Sequence, residues 1–316
     1  MTSPSLYAPV ADYLALRREM GYELRSQGLL LLDFARFADR QGHVGPITVD
    51  LARRWAMSTR ASESRAAARR LSVVRQFARH RLAFDAATQV PPVGLLGPET
   101  AARRQPHVYS DEEIALLLRA AALLRPRGGL RPRTYVAFFS LLASTGLRLC
   151  EARLLPCRDV DLAEGLLVVR EGKFRKSRVV PLHPTSTAAL ARYATCRDRT
   201  APRSEFFFRT DRAPALGYFG IERTFATLRR RLGWTRRGGA RQPRIHDLRH
   251  TFAVRRLLRW YEEGADVDRK VHALATYLGH AGVAGTYWYL TAVPELMAVT
   301  SRRFDQFAGR RAERLP

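Results

Sequence analysis

The sequence predicts a mainly α-helical protein with a small antiparallel β-sheet, divided into two domains. Three observations predict it. Apolar residues recur at helical spacing through most of the chain, one pair of short β-rich runs flanks a glycine turn, and one proline- and glycine-rich stretch separates two helical regions. At 316 residues the chain exceeds one average domain, and 46% hydrophobic content suffices for packed cores rather than global disorder.

Residues 1–84 read as a helical domain. Pro9 can open a first helix and Gly21 close it. Leu30, Phe34 and Phe37 then recur at i, i+4 and i+7 before Gly42 stops the second helix. Thr48 is suited to cap a short third helix through Trp55. A fourth, alanine-rich helix runs from Ser62 to Arg81. Ala67, Leu71, Val74 and Ala78 form its apolar stripe, and Arg65, Arg69 and Arg79 lie on its other face. Residues 85–107 read as a linker, because Pro91, Pro92, Gly94, Gly97, Pro98 and Pro106 interrupt any sustained period.

The second domain, 108–316, starts at a capping box, Ser110-Asp111-Glu112-Glu113, followed by the apolar positions Ile114, Leu117 and Leu118. An apolar helix, Tyr135 to Ser144, ends at Gly146. Leu166–Val169 and Arg178–Val180 are β-rich runs around a polar turn at Gly172, which predicts a hairpin. Helical patterns resume over Pro184–Tyr193, Gly220–Leu232, His246–Trp260 and Val267–Leu278.

Charge restricts the function. With 54 Lys+Arg against 29 Asp+Glu, the net charge is +25, and such a surplus repels itself unless a polyanion neutralises it. No apolar run approaches the roughly 18 residues of a membrane-spanning helix, and no secretory signal pattern is present. Nucleic acid is therefore the expected partner. Cys150, Cys157 and Cys196 form no CxxC pair and no disulfide framework, which fits a reducing cytoplasm. Lys occurs only at 173, 176 and 270. A site that keeps lysine in so arginine-rich a chain points to a proton that guanidinium cannot release. Eleven arginines and one aspartate between Arg229 and Arg259 point to nearby phosphates.

Four separated motifs carry chemistry: Thr145-Gly146-Leu147-Arg148-Leu149-Cys150-Glu151; Gly172-Lys173-Phe174-Arg175-Lys176, running into Val180-Pro181-Leu182; His246-Asp247-Leu248-Arg249-His250-Thr251; and Leu278-Gly279-His280, followed nine residues later by Tyr289. In this order and spacing they resemble the tyrosine recombinase, or phage integrase, family, and the resemblance spans the second domain. The helical first domain and basic linker also resemble that family's layout, a core-binding domain followed by an α+β catalytic domain.

The resemblance implies a site-specific DNA recombinase of integrase or transposase type. It would cleave and rejoin DNA through a 3′-phosphotyrosine, with no metal, cofactor or ATP. Arg148 and Arg249 would grip the scissile phosphate, as forked guanidiniums suit its non-bridging oxygens. Lys173 would protonate the departing 5′ oxygen. His246, three residues before Arg249 and on the same helix face, would shuttle the tyrosine proton. His280 would hydrogen-bond the phosphate or the leaving oxygen, and Tyr289 would be the nucleophile. This run departs from the family pattern, with an extra tyrosine at 287 and no histidine two residues after 289, so Tyr287 is a rival. His250 and His272 are expected to be structural. Arg65, Arg69, Lys176, Arg178, Arg241 and Arg244 are the candidate DNA contacts. The expected partner is duplex DNA with an inverted-repeat core site, bound by a dimer and synapsed as a tetramer, with a partner recombinase as a further possibility and no membrane. The expected place of work is the nucleoid-associated cytoplasm. The amphipathic segment Pro294–Phe307 would dock on a neighbouring protomer.

Other readings are a zinc hydrolase, from the HExxH-like His246-Asp247-x-x-His250, a non-catalytic DNA-binding protein, a metal-dependent transposase, and a type IB topoisomerase. Arg249 beside the first pair would repel a cation, and a mere binder has no need of Lys173 or Tyr289.

Overall fold

The computed structural model describes residues 5–58, 64–98, 106–170, 177–200, 202–235, 242–280, 282–283 and 285–287. The chain divides into two compact units, Met1–Arg103 and Arg104–Pro316.

Among its described residues the first unit holds four helices: α1 (Tyr7–Glu19), α2 (Arg25–Arg40), α3 (Val49–Met57) and α4 (Ser64–Arg81). Thr48 caps α3 by accepting from the Leu51 N–H at 3.1 Å. Val10, Leu31, Phe34, Leu51, Trp55, Leu71 and Phe77 form the core. Trp55 donates to Asp33 at 2.9 Å, and the Arg70 guanidinium lies 3.9 Å over its ring. The proline-rich stretch packs onto these helices. Buried Arg75 donates to the carbonyls of Pro91 and Pro92, while Val90 and Leu96 lie against the core.

The second unit contains α5 (Asp111–Ala122), α6 (Leu130–Thr145), the short α7 (Leu149–Arg153), α8 (Pro184–Thr200), α9 (Tyr218–Arg231), α10 (Asp247–Glu262) and α11 (Val267–Leu278). Ser110 and Glu113 complete the capping box in both directions. Helix α6 begins five residues before the predicted Tyr135, because Pro132 sits in its first turn, where no intrahelical N–H is needed.

Three antiparallel strands form the sheet in the order β1 (Val160–Asp161), β2 (Leu166–Val169), β3 (Arg178–Pro181). The predicted hairpin is thus joined by a two-residue edge strand, with Leu167 opposite both Val160 and Val180. Phe138, Phe139, Leu167, Val180, Phe208, Phe225 and Leu248 centre the main core, and Val254, Leu257, Val271 and Leu274 lock α10 to α11. Among the described residues no helix is long and apolar enough to cross a membrane.

Candidate active site

Two glycine-capped helix ends meet around two arginines. Gly146 ends α6 at φ +63° and Gly279 ends α11 at φ +68°, left-handed conformations that suit glycine. Helix C-termini carry outward-facing carbonyls and partial negative charge, so cations gather there. Arg249, on the first turn of α10, donates from Nη1 to the Gly146 carbonyl and from Nη2 to the Leu278 carbonyl, both at 2.7 Å. Arg148, at the N-cap of α7, donates from Nη2 to the Gly279 carbonyl at 2.6 Å. Arginines 101 positions apart are therefore seated on consecutive carbonyls, 278 and 279.

Close packing at both glycines explains their identity. A Cβ at Gly146 would meet the Phe252 ring at 2.7 Å. One at Gly279 would meet Arg178 Nη1 at 2.7 Å and Arg148 Nη1 at 3.2 Å.

Glu151 holds Arg148 from below. Its Oε1 accepts from Arg148 Nη1 at 2.8 Å, and its Oε2 accepts from the Arg148 backbone N–H at 2.9 Å. The same carboxylate takes a fork from Arg178, at 3.1 and 2.8 Å. Burial raises the Glu151 pKa, but the hydrogen bonds from Arg178 and Arg148 outweigh it and hold the carboxyl below its usual range.

The histidines form the other wall. His246 precedes α10 and meets His250 edge-on, with ring centroids 4.8 Å apart. Surrounding protein, then Arg249 and Arg244, lower the His246 pKa, although part of the residue stays open to solvent. Burial, then the charge of His246, pushes His250 down to about 3. His280 is pushed down to about 4 by burial and then by Arg249, Arg148 and Arg178, and its Nδ1 is hydrogen-bonded to Thr286 Oγ1 at 2.7 Å. All three rings are thus neutral near pH 7, in a frame of fixed cations.

Asp247, fully buried, accepts from the Arg244 backbone N–H and from its guanidinium, both at 2.8 Å. Buried Thr251 accepts from the Tyr109 N–H, so the chain entering α5 also braces α10.

The structure therefore brings together Arg148, His246, Arg249 and His280. Lys173, Lys176, Arg241, Tyr289 and the segment Pro294–Phe307 lie outside the described residues, as does the side chain of Arg65. Arg69 is exposed on α4, and Arg244 is paired with Asp247. Arg178 points inward, its side chain 9% exposed. Sequence reading overlooked Glu151, Asp247 and Thr286 as site residues and set His250 aside as structural. A carboxylate three residues after Arg148, in so basic a chain, was the available signal. Among the described residues no three His, Cys, Asp or Glu side chains are grouped as a metal site requires, so the zinc reading gains no support there.

Residues 110–295 match the phage integrase family. The integrase/recombinase homologue y4rB of Sinorhizobium fredii is 42% identical, over 94% of this chain and 96% of its own. The tyrosine recombinase XerD of Caulobacter vibrioides is 32% identical over 73% of this chain and 72% of its own. Among solved structures, the Tn1549 transposon integrase in complex with a circular intermediate DNA has a TM-score of 0.67 at 16% identity, covering 96% of this chain and 100% of that one. XerH bound to a palindromic difH substrate has a TM-score of 0.64 at 16% identity, covering 89% and 80%. These structural likenesses support the fold.

Proposed function

The chain belongs to the phage integrase family and is a site-specific tyrosine recombinase, and from that premise we propose how its own residues act on DNA. The Tyr289 phenol attacks the scissile phosphorus, the bond to the 5′ oxygen breaks, and a 3′-phosphotyrosine ester forms. Arg148 and Arg249 balance the charge that grows on the non-bridging oxygens. Each bond that Arg148 makes to Glu151 and Gly279 uses one hydrogen on its nitrogen, which leaves the second hydrogen on each for a phosphate oxygen.

His246, neutral and partly open to solvent, accepts the phenolic proton. Lys173 donates a proton to the departing 5′ oxygen, and His280, oriented by Thr286, hydrogen-bonds the phosphate. A 5′ hydroxyl then attacks the ester, the phenol leaves, and the strand is rejoined. The phosphoester bond is conserved at each step, so the reaction needs no ATP.

The seating of Arg148 and Arg249 on the carbonyls of 279 and 278, beside His280, carries this reading. Duplex DNA fits a chain of charge +25. An inverted-repeat site bound by a dimer and paired in a tetramer fits the family, as does a partner recombinase. Exposed Arg69, with Arg65, Lys176 and Arg241, is assigned to phosphate contacts, and the work is placed in the cytoplasm on nucleoid DNA.

Tyr289→Phe tests the assignment. The variant is expected to bind its site and form no covalent DNA adduct. An active Tyr289→Phe with an inert Tyr287→Phe would transfer the role to Tyr287.

A further inference from the structure

We propose that Arg178 is a positioning residue for Arg148, acting through Glu151, and not a DNA ligand. The inference rests on the recombinase reading of the Arg148 site.

Arg178 is the first residue of β3, and all three of its guanidinium nitrogens bond to protein. Nη1 and Nη2 fork onto the two oxygens of Glu151 at 3.1 and 2.8 Å, and Nε donates to the Tyr277 carbonyl at 2.7 Å. Its side chain is 9% exposed and that of Glu151 is 7% exposed. A phosphate contact would require this internal fork to open in a place where an unpaired carboxylate is costly.

Charge explains what the fork achieves. One carboxylate faces two guanidiniums, so the trio keeps a net positive charge for an anionic ligand. Without Arg178, the nearly buried Glu151 would keep Arg148 as its one cationic partner among the described residues. A bidentate Glu151–Arg148 pair, three residues apart at one helix start, would be neutral and would draw Nη2 away from the Gly279 carbonyl. Arg148 would then be both turned and discharged, although it is otherwise intact.

Arg178 also connects separate elements. Its Nε bond ties β3 to the end of α11, three residues before His280. Tyr277 stacks on Phe252 of α10, with centroids 5.5 Å apart and an interplanar angle of 18°, and its hydroxyl reaches the Pro181 carbonyl. The strand that follows Lys173 in sequence is thereby referenced to Arg148 and His280. Gly279 makes the arrangement possible, since any Cβ there would lie 2.7 Å from Arg178 Nη1.

The test uses the full-length protein and a nicked duplex bearing the site recovered by trapping the wild-type protein covalently on DNA. If the wild type traps no DNA, the recombinase assignment of the site fails, and this inference with it. Given trapping, Arg178→Met is expected to lower the cleavage rate at saturating protein by about 100-fold, on the scale of losing one oriented donor. DNA affinity should change less than about threefold, with the salt slope of binding unchanged. A DNA ligand would instead lose affinity and reduce that slope by about one. The double variant Arg178→Met/Glu151→Gln removes the unbalanced carboxylate and should recover at least about tenfold over Arg178→Met alone. A double variant no faster than the single one makes Arg178 merely structural and overturns the proposal, as does a wild-type rate in Arg178→Met. If Arg178→Met does not fold, Arg178→Lys decides. A reduced saturating rate at unchanged affinity supports the proposal, and an unchanged rate overturns it.

Discussion

Gly279→Ala separates backbone strain from the packing of the guanidiniums. At φ +68° an added Cβ costs about 1–2 kcal/mol in any left-handed position. Gly233 provides the control, because it has φ +66° and nothing within 4 Å of a built Cβ. Both variants should therefore lose that stability, which for a unit of this size is about 2–4 °C in Tm per kcal/mol. Gly279→Ala has a second effect. Its Cβ would stand 2.7 Å from Arg178 Nη1, 2.9 Å from Cζ and 3.2 Å from Arg148 Nη1, so the Arg178 guanidinium must retreat and Arg148 must give by a few tenths of an ångström. A full 1 Å misplacement costs about 100-fold in rate, so a shift of a few tenths of an ångström at Arg148 costs about 3- to 10-fold. Cleavage of a nicked substrate, followed as covalent adduct at saturating protein, should be about 3- to 10-fold slower in Gly279→Ala and near normal in Gly233→Ala. Equal cleavage rates in the two variants would mean that Arg148 does not depend on its seat above Gly279.

Further predictions concern protons. His250 and His280, held at about 3 and about 4, recover ordinary values near 6.5 on unfolding. Between pH 6.5 and 5 the unfolded chain therefore binds protons that the folded chain does not, so stability should fall as pH falls through that window and be insensitive to these groups above it. Thermal melts across pH 5–7 should show this slope, and His250→Asn should flatten it; an unchanged slope in the variant contradicts the assignment. Lys173→Ala should cleave ordinary DNA about 10²–10⁴-fold more slowly. The same variant should be rescued on a 5′-phosphorothiolate substrate, whose thiolate leaves without a proton, and absence of rescue removes the general-acid role.

Much of the fold is legible in local chemistry. Thr48, the Ser110–Glu113 box and Gly146 each announce a helix end through a backbone requirement, and each is found there. The continuation of α8 to Thr200 is not legible. Its last turns read as polar, and the buried face includes Arg197, 6% exposed and paired with Asp198 and the Phe207 carbonyl. A charge on the inner face hides the helical period. Strand β1 is too short to leave a pattern, since two residues carry no alternation. In the site, motif order pointed to Arg148, His246, Arg249 and His280. The inward turn of Arg178, and with it the second duty of Glu151, depends on contacts across 27 and 99 positions, which no local spacing encodes.

Covalent strand exchange turns on which atom holds the DNA. Protease digestion of the trapped covalent complex, followed by mass spectrometry of the nucleotide-bearing peptide, identifies that atom directly. A phosphodiester remnant is expected on Tyr289. A remnant on Tyr287, or on any serine or threonine, would contradict the Tyr289 assignment.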